Sequence, residues 1–503
     1  MAVTLCVFVI LLVFFHGSDG NLSFASYYGD HMVLQKSPDR AVLWGFGPES
    51  EQVTVFLSGP VTQKTLVTVT GGIWRVTLDP VDAGGPYNVT ASSWSSTATL
   101  TDVLFGDVWL CGGQSNMYFK MSQIFNASEE LALSAKYPHV RPFMVALNRS
   151  EIELPDLIQV ELPWFEPTAT VLAEFSAVCW LFGRYMYDNL NYPIGLVESC
   201  WGGTPVEAWS STRALQKCGL EKTEDRSLSH IEKNSVMWNS MIHPLLNMTI
   251  KGAIWYQGEA NAVYHQDNYN CSFPAMIDDW RMAFHHGSGG QTALDFPFGF
   301  VQLSTYQKHS TDDGFPNIRW HQTADTGFVP NPRMKKTFMA VALDLPDGTS
   351  PYGTIHPRDK QDVAYRLTLG ARAVVDNERD VPFLGPFPSQ ILSTQMYVYI
   401  TYDQTISVTP SKNIFEICCS GIWAPCGPGS LWFPAPIIQW GPNTIQLSTA
   451  LCQVSEVAAV RYAWKDWPCD FKACPVYGDS GILPAPPFII NRFAGKGSIW
   501  KSY

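Results

Sequence analysis

Charge is scarce in this chain. Of 503 residues only 16% are charged, against 46% hydrophobic, which is the composition of a globular protein and excludes a disordered one. The balance leans negative, to a net −12. The basic patch that a phosphate-tracking nucleic-acid binder needs is therefore missing, and no nucleic-acid partner is expected. There are twelve cysteines but no C-x-x-C pair and no partnering histidines, so no structural metal site is expected. Past residue 20 no apolar run is long enough for a transmembrane helix, which excludes a membrane span. Fixed-period repeats and low-complexity segments are absent too. A chain of this length exceeds one ordinary core, so two to four domains are expected.

What is present begins with an apolar start, "MAVTLCVFVILLVFFHGSDG". The run from Leu5 to Phe15 is too short to span a bilayer comfortably, and the small residues Ser18 and Gly20 stand where cleavage needs them. Residues 1–20 are read as a signal peptide, although the segment lacks an early Lys or Arg. Six N-x-[ST] acceptors, at Asn21, Asn88, Asn126, Asn148, Asn247 and Asn270, point the same way. The expected destination is the secretory pathway, secreted or lysosomal. Losing Cys6 leaves eleven cysteines, so at least one thiol stays unpaired or pairs between chains. Cys418, Cys419, Cys426, Cys452, Cys469 and Cys474 crowd the C-terminal part, where a disulfide set is expected.

The rhythm of the chain changes twice. Residues 21–100 alternate in short steps such as "QVTVFLSG" and "WRVTLDP", the mark of a β-sandwich-like domain. From 101 to 375, compact apolar runs ("VLFGDVWLC", "GAIWYQ", "TFMAVALDL") alternate with helix-like stretches ("AEFSAVCWLFGRYMYDNL", "RDKQDVAYRLTLGARAVV"). That is the pattern of a parallel sheet in an α/β domain. From 376 to 503 a β rhythm returns.

Within the α/β segment, "CGGQSNM" at Cys111 to Met117 follows an apolar strand-like run directly. Ligands of open α/β sheets sit beyond the carboxyl ends of the strands. A serine there attacks a carbonyl if a base takes its proton; the same position also suits the cap of a following helix. The string Gly113-Gln114-Ser115-Asn116-Met117 lacks the second glycine of the G-x-S-x-G elbow, which argues against that turn.

"GDVWLCGGQSNM" resembles the first block of the SGNH hydrolases, in the form used by sialate O-acetylesterases and related carbohydrate acetylesterases. The resemblance continues through "GLVESCWGGTPVEAW", "WNSMIHPL", "GAIWYQGEAN", "IHPRDKQDVAYRL" and "LPAPPF", and so covers nearly the whole chain after residue 20. It implies a flavodoxin-like parallel sheet and hydrolysis of O-acetyl esters on sialic acids, chiefly on the glycerol side chain (9-O-acetyl). No cofactor is implied. The substrate would be an O-acetylated sialic acid, free or on a glycoconjugate; the oligomeric state is left open. An acetylesterase for another polysaccharide, or a silent sugar-binding protein on the same scaffold, are the alternatives.

The resemblance makes Ser115 the nucleophile and His356, in "IHP", the general base, with His243 in "MIHPL" the runner-up. The oxyanion donors it implies are the backbone N–H of Ser115, Gly203 or its neighbour Gly202, and the amide of Gln257 or Asn261. Two departures from the family pattern stand out. The third block reads Gln257-Gly258-Glu259-Ala260-Asn261 in place of G-x-N-D. Gly353 occupies the position three residues before the histidine where an aspartate is usual. The orienting carboxylate must then come from Glu259, Asp344 or Asp347, with Glu259 ranked slightly ahead of Asp344. A sialate carboxylate needs a guanidinium or backbone donors, and Arg358 is the candidate.

Overall fold

The structure is a computed structural model. It describes residues 21–221, 233–376, 378–420, 426, 429–452, 456–492 and 499–502. The expected signal peptide lies outside the described residues.

The centre of the molecule is a sheet of eleven strands. Six of them form its parallel core: β1 (Thr97–Gly113), β2 (Val140–Val145), β3 (Ile194–Cys200), β4 (Gly252–Tyr256), β5 (Phe298–Gln302) and β6 (Thr337–Val341). Their spatial order is β2-β3-β1-β4-β5-β6, and the short strand Val160–Leu162 closes the β2 edge in antiparallel sense. The strands β2 to β6 are buried along their whole length. Their mostly apolar sequences, interrupted by few polar residues such as Arg141 and Glu198, are what a sheet covered on both faces requires.

β1 has 17 residues, about three times an ordinary strand. Its first part, Thr97 to Asp102, alternates between exposed and covered positions; from Val103 every residue is buried. The first part pairs with Gly84–Ser92, and Val33–Gln35 runs parallel beside Leu104 to Gly106. The second part pairs with β3 and β4. The boundary expected at 100 and 101 therefore falls inside a continuous strand. Trp44, Trp74, Val55, Leu57 and Val89 of the N-terminal segment share one apolar core with the parallel sheet.

The helices that carry the site are α1 (Ser115–Tyr118), α2 (Ala177–Leu190), α3 (Tyr269–Gly287), α4 (Gly314–His321) and α5 (Lys360–Val374). α2 and α5 are the two helix-like stretches of the sequence. Each is capped by the preceding residue: Ser176 accepts from the Cys179 N–H, and Asp359 from the Asp362 N–H.

After α5 the chain builds a five-stranded sheet, antiparallel except where Pro388–Ser393 pairs in parallel with Trp500–Ser502, and a four-stranded antiparallel sheet. They surround a separate core that includes Ile400, Phe415, Ile417, Tyr462 and Phe488. Three disulfides lie in this region, Cys418–Cys426, Cys419–Cys452 and Cys469–Cys474. Two others brace the α/β part. Cys111–Cys179 ties β1 to α2, and Cys218–Cys271 anchors the start of α3. Among the described residues Cys200 alone is a free cysteine, and it is buried.

Candidate active site

Four loops meet beyond the carboxyl ends of β1, β3, β4 and β6, and the close approach begins with two glycines. A Cβ on Gly113 would lie 2.2 Å from the Tyr256 carbonyl oxygen, and one on Gly112 would lie 2.9 Å from the Trp255 ring. Only glycine lets β1 end against β4 at this spacing. The ends are then stitched together: Gln114 N–H donates to Tyr256 O (2.9 Å), and Trp201 N–H to Gly113 O (3.1 Å). The Gln114 side-chain oxygen accepts the N–H groups of Gly258 (3.3 Å) and Ala260 (3.2 Å).

Ser115 opens α1, so its own N–H has no acceptor within that helix. His356 arrives from the loop after β6. Its Nε2 lies 2.9 Å from Ser115 Oγ, and its Nδ1 lies 2.8 Å from the Tyr352 carbonyl oxygen. A carbonyl only accepts, so Nδ1 carries the proton and Nε2 presents its lone pair to the serine hydroxyl. Burial pushes the imidazole below its ordinary value; the Tyr352 carbonyl opposes this and the charge of Lys360 adds to it. Phe119 packs on both parts of this arrangement. Its ring stacks on His356 (6.3 Å between centroids) and meets Tyr352 edge-on (5.2 Å).

The two carboxylates ranked as orienting acids do other things. Asp344 is fully buried and takes both Nη atoms of Arg366 (2.6 and 2.8 Å) and the hydroxyl of Tyr477 (2.9 Å). It joins β6 to α5 and to the C-terminal region. Glu259 lies beside the serine turn, yet its Oε1 accepts from Asn116 Nδ2 at 2.6 Å. Burial pushes its carboxyl up, against the Asn116 hydrogen bond. Asp347, the third candidate, is taken by Arg358: Nε to Oδ2 is 2.6 Å and Nη2 to Oδ1 is 3.0 Å. The histidine is oriented by backbone because a tight turn, in which the His356 N–H donates to Gly353 O (2.9 Å), brings the Tyr352 carbonyl under its ring. Gly353, with φ of +88°, makes that turn where the family pattern has aspartate.

Arg358 is likewise occupied. Besides Asp347 it donates to Thr349 Oγ1 (2.9 Å), and its guanidinium covers the Phe125 ring at 4.5 Å. It braces the loop that carries His356 and is not free for a substrate carboxylate. The amides expected as oxyanion donors also point to interior partners. Gln257 Nε2 donates to Asn261 Oδ1 (2.7 Å) and Thr204 O (3.3 Å); Asn261 Nδ2 donates to Glu207 (2.9 Å) and Tyr264 O (3.1 Å). They fix the β4 loop against the loop after β3. That second loop presents Gly202, whose missing Cβ would stand 3.3 Å from the Ser115 Cβ, and Gly203, where φ is +76°. The runner-up base, His243, is held away from this centre by Leu154 O (2.8 Å) and Glu153 (3.4 Å).

Sequence reasoning did not single out Asn116, Phe119, Tyr352 or Lys360. The one signal for Asn116 was visible: Ser115 is flanked by two amides. Gln114 ties the serine turn to the loop after β4, and Asn116 ties it to that loop and to the His356 loop. Beside the His356 loop a groove of about 440 Å³ is lined by Tyr306, Gln307, Lys308, Gly348, Thr354 and Trp467. A more apolar cavity of about 350 Å³ lies elsewhere, among Phe328, Met339, Phe387 and Pro484, and includes none of the site residues.

Residues 105–331 match the family model described as carbohydrate esterase, sialic acid-specific acetylesterase, and residues 389–492 match that of the sialate O-acetylesterase C-terminal domain. The chain is 51% identical to the sialate O-acetylesterase of Mus musculus, over 93% of this chain and 94% of the relative. It is 52% identical to that of Homo sapiens, over 93% and 92%. Among solved structures it is similar to a carbohydrate acetylesterase from Xanthomonas citri, with 27% identity, a TM-score of 0.78, and coverage of 93% of this chain and 99% of that one.

Proposed function

The chain belongs to the sialate O-acetylesterase family, and from that premise we propose how it removes O-acetyl groups from sialic acids: Ser115 attacks the acetyl carbonyl and His356 moves the protons. Ser115 Oγ bonds to the carbonyl carbon while its proton passes to His356 Nε2. The same proton then goes to the departing sugar oxygen, leaving an acetyl group on Ser115. Water attacks that ester, gives its proton to Nε2, and acetate leaves as Ser115 recovers its hydrogen. The charge that develops on the carbonyl oxygen meets the N–H groups of Ser115 and Gly203. No cofactor enters these steps.

One observation carries the reading: His356 faces the Ser115 hydroxyl at 2.9 Å in the tautomer a base needs, with Nδ1 held by a carbonyl. A carbonyl orients the ring as a carboxylate does, but stabilises the imidazolium less. The base is therefore intrinsically weak, and suited to moderately acidic surroundings. That fits placement in the secretory pathway, secreted or lysosomal, which five disulfides and the exposed acceptors Asn21, Asn88 and Asn126 also support. We read the six parallel strands as the flavodoxin-like sheet of SGNH hydrolases, with the serine just past its inner strand. We take the preferred ester to be on the sialic acid side chain, at the 9-position.

The test is acetate release from 9-O-acetylated sialic acid, acetylated xylan and an aryl acetate under one set of conditions. The sialate ester should have much the highest kcat/KM. Equal values for sialate and xylan would refute the substrate assignment and leave the chemistry standing.

A further inference from the structure

Lys360 is the charge least expected in this site. It is the first residue of α5, where the helix dipole opposes a cation, and it is completely buried. Burial pushes its ammonium down to about 7, against the pull of Glu259, Asp359 and Asp347. A lysine kept in so unfavourable a place is poorly explained by stability alone.

Its contacts lead to both reacting residues. Lys360 Nζ donates to Asn116 Oδ1 at 2.7 Å. Asn116 Nδ2 in turn donates to Glu259 Oε1 (2.6 Å) and to the Ile355 carbonyl (2.9 Å). Asn116 is the neighbour of Ser115, and Ile355 that of His356. One amide thus joins the serine turn to the histidine loop, and its carbonyl end is held by the lysine. The ammonium also lies 4.9 Å from the centre of the Phe119 ring, the ring that stacks on His356. The Glu259 Oε2 atom is buried and has no hydrogen-bond partner, and the pull of Glu259 on the ammonium is the strongest of the nearby charges.

We propose that Lys360 is a positioning residue for the esterase: through Asn116 it holds Ser115 and His356 in register, and its charge faces the imidazole across Phe119. The inference rests on the Ser115–His356 reading above. A positive charge nearby disfavours the imidazolium, so Lys360 helps keep His356 able to accept a proton at low pH. The charged groups around the lysine are Glu259, Asp359 and Asp347, and Arg358 is tied to Asp347. Removing the lysine moves His356 in one direction only. If Glu259 then takes a proton both charges go, and of the two it is Lys360 that acts on the imidazole; if Glu259 stays ionised, a bare negative neighbour remains.

Two variants separate the hydrogen bond from the charge. Lys360→Met removes both, whereas Lys360→Gln keeps a donor for Asn116 and removes only the charge. Both are assayed for kcat and KM across the pH range on an acetylated sialic acid, beside thermal melting. Lys360→Met should lower kcat on the order of 10- to 100-fold with little change in KM, as small misplacements of reacting groups do. In both variants the acid limb of kcat/KM should rise by about half a pH unit. If Lys360→Met does not fold, Lys360→Gln carries the test. An acid limb that stays in place in folded Lys360→Gln would overturn the proposal, as would an unchanged kcat in folded Lys360→Met. Hydrolysis that Ser115→Ala abolishes but the lysine variants leave intact would refute this inference alone. No hydrolysis by the unaltered protein would refute the Ser115–His356 reading, and this inference with it.

Discussion

Asp344→Asn separates the two roles a buried carboxylate near this site can have. If Asp344 oriented His356, its amide would cost about 10⁴ in kcat, as loss of a triad acid does. The structure gives Asp344 a different role, with two charge-assisted bonds to Arg366 and one from Tyr477. Removing one partner of a buried ion pair costs about 3–5 kcal/mol, because the remaining charge is left uncompensated. An asparagine keeps one acceptor for Arg366 but turns an N–H₂ toward the guanidinium or the tyrosine hydroxyl. The lower end, about 3 kcal/mol, is therefore expected, a large share of the roughly 5–15 kcal/mol that holds a typical domain together. Tyr477 belongs to the C-terminal region, so the loss should loosen that region first. The assay pairs a denaturant midpoint with kcat normalised to titrated active serine. The midpoint should fall clearly, while kcat of the folded protein stays within about tenfold. A loss near 10⁴ with an unmoved midpoint would show that Asp344 reaches His356 during turnover, and the backbone-oriented histidine would have to be abandoned.

Three further outcomes are expected. Ser115→Ala should reduce kcat by roughly four to six orders of magnitude without lowering the melting temperature; a folded variant with near-normal turnover would remove the acetyl-enzyme. Because burial lowers His356 from its ordinary 6.5, the imidazole stays unprotonated to lower pH, and the acid limb of kcat/KM should lie below that value; a limb at or above it, read from a pH–rate profile, would contradict the site. Gly202→Val should slow turnover far more than it destabilises the fold, since even a Cβ there stands 3.3 Å from the Ser115 Cβ, which paired kinetics and melting would reveal.

The pairing of Ser115 with His356, 2.9 Å apart in the structure, was legible in the sequence because each member sits in a local pattern. The glycines and amides around Ser115, and the strand-loop-helix setting of His356, are short-range features. The third partner was not legible, since a backbone carbonyl has no letter in a sequence. Gly353 marked the missing aspartate but not the turn that replaces it. Arg358 and Asp347 are 11 residues apart, and only the folded loop shows that each satisfies the other. Gln257 directly follows the strand β4, and Asn261 stands in the short turn just beyond it. Which way an amide turns, however, depends on Thr204, Glu207 and Tyr264, brought in from another loop and from further along its own. Lys360 was hidden by its company: in "RDKQD" it reads as a helix-surface cation. The change of rhythm at 100 has a related origin: it is a change of burial along one strand, Thr97–Gly113.

That strand has a consequence for how the molecule comes apart. Proteins usually open in contiguous cooperative units bounded by loops, but no loop divides β1. The backbone amides that pair with Gly84–Ser92 and those that pair with β3 and β4 belong to one rod, and Ser115 stands just past its tip. Unzipping the N-terminal strands would free half of that rod and let the other half fray toward Ser115. Deuterium uptake along β1 should therefore rise together at both ends, and a chain cut to begin at 101 would lose the register of Ser115.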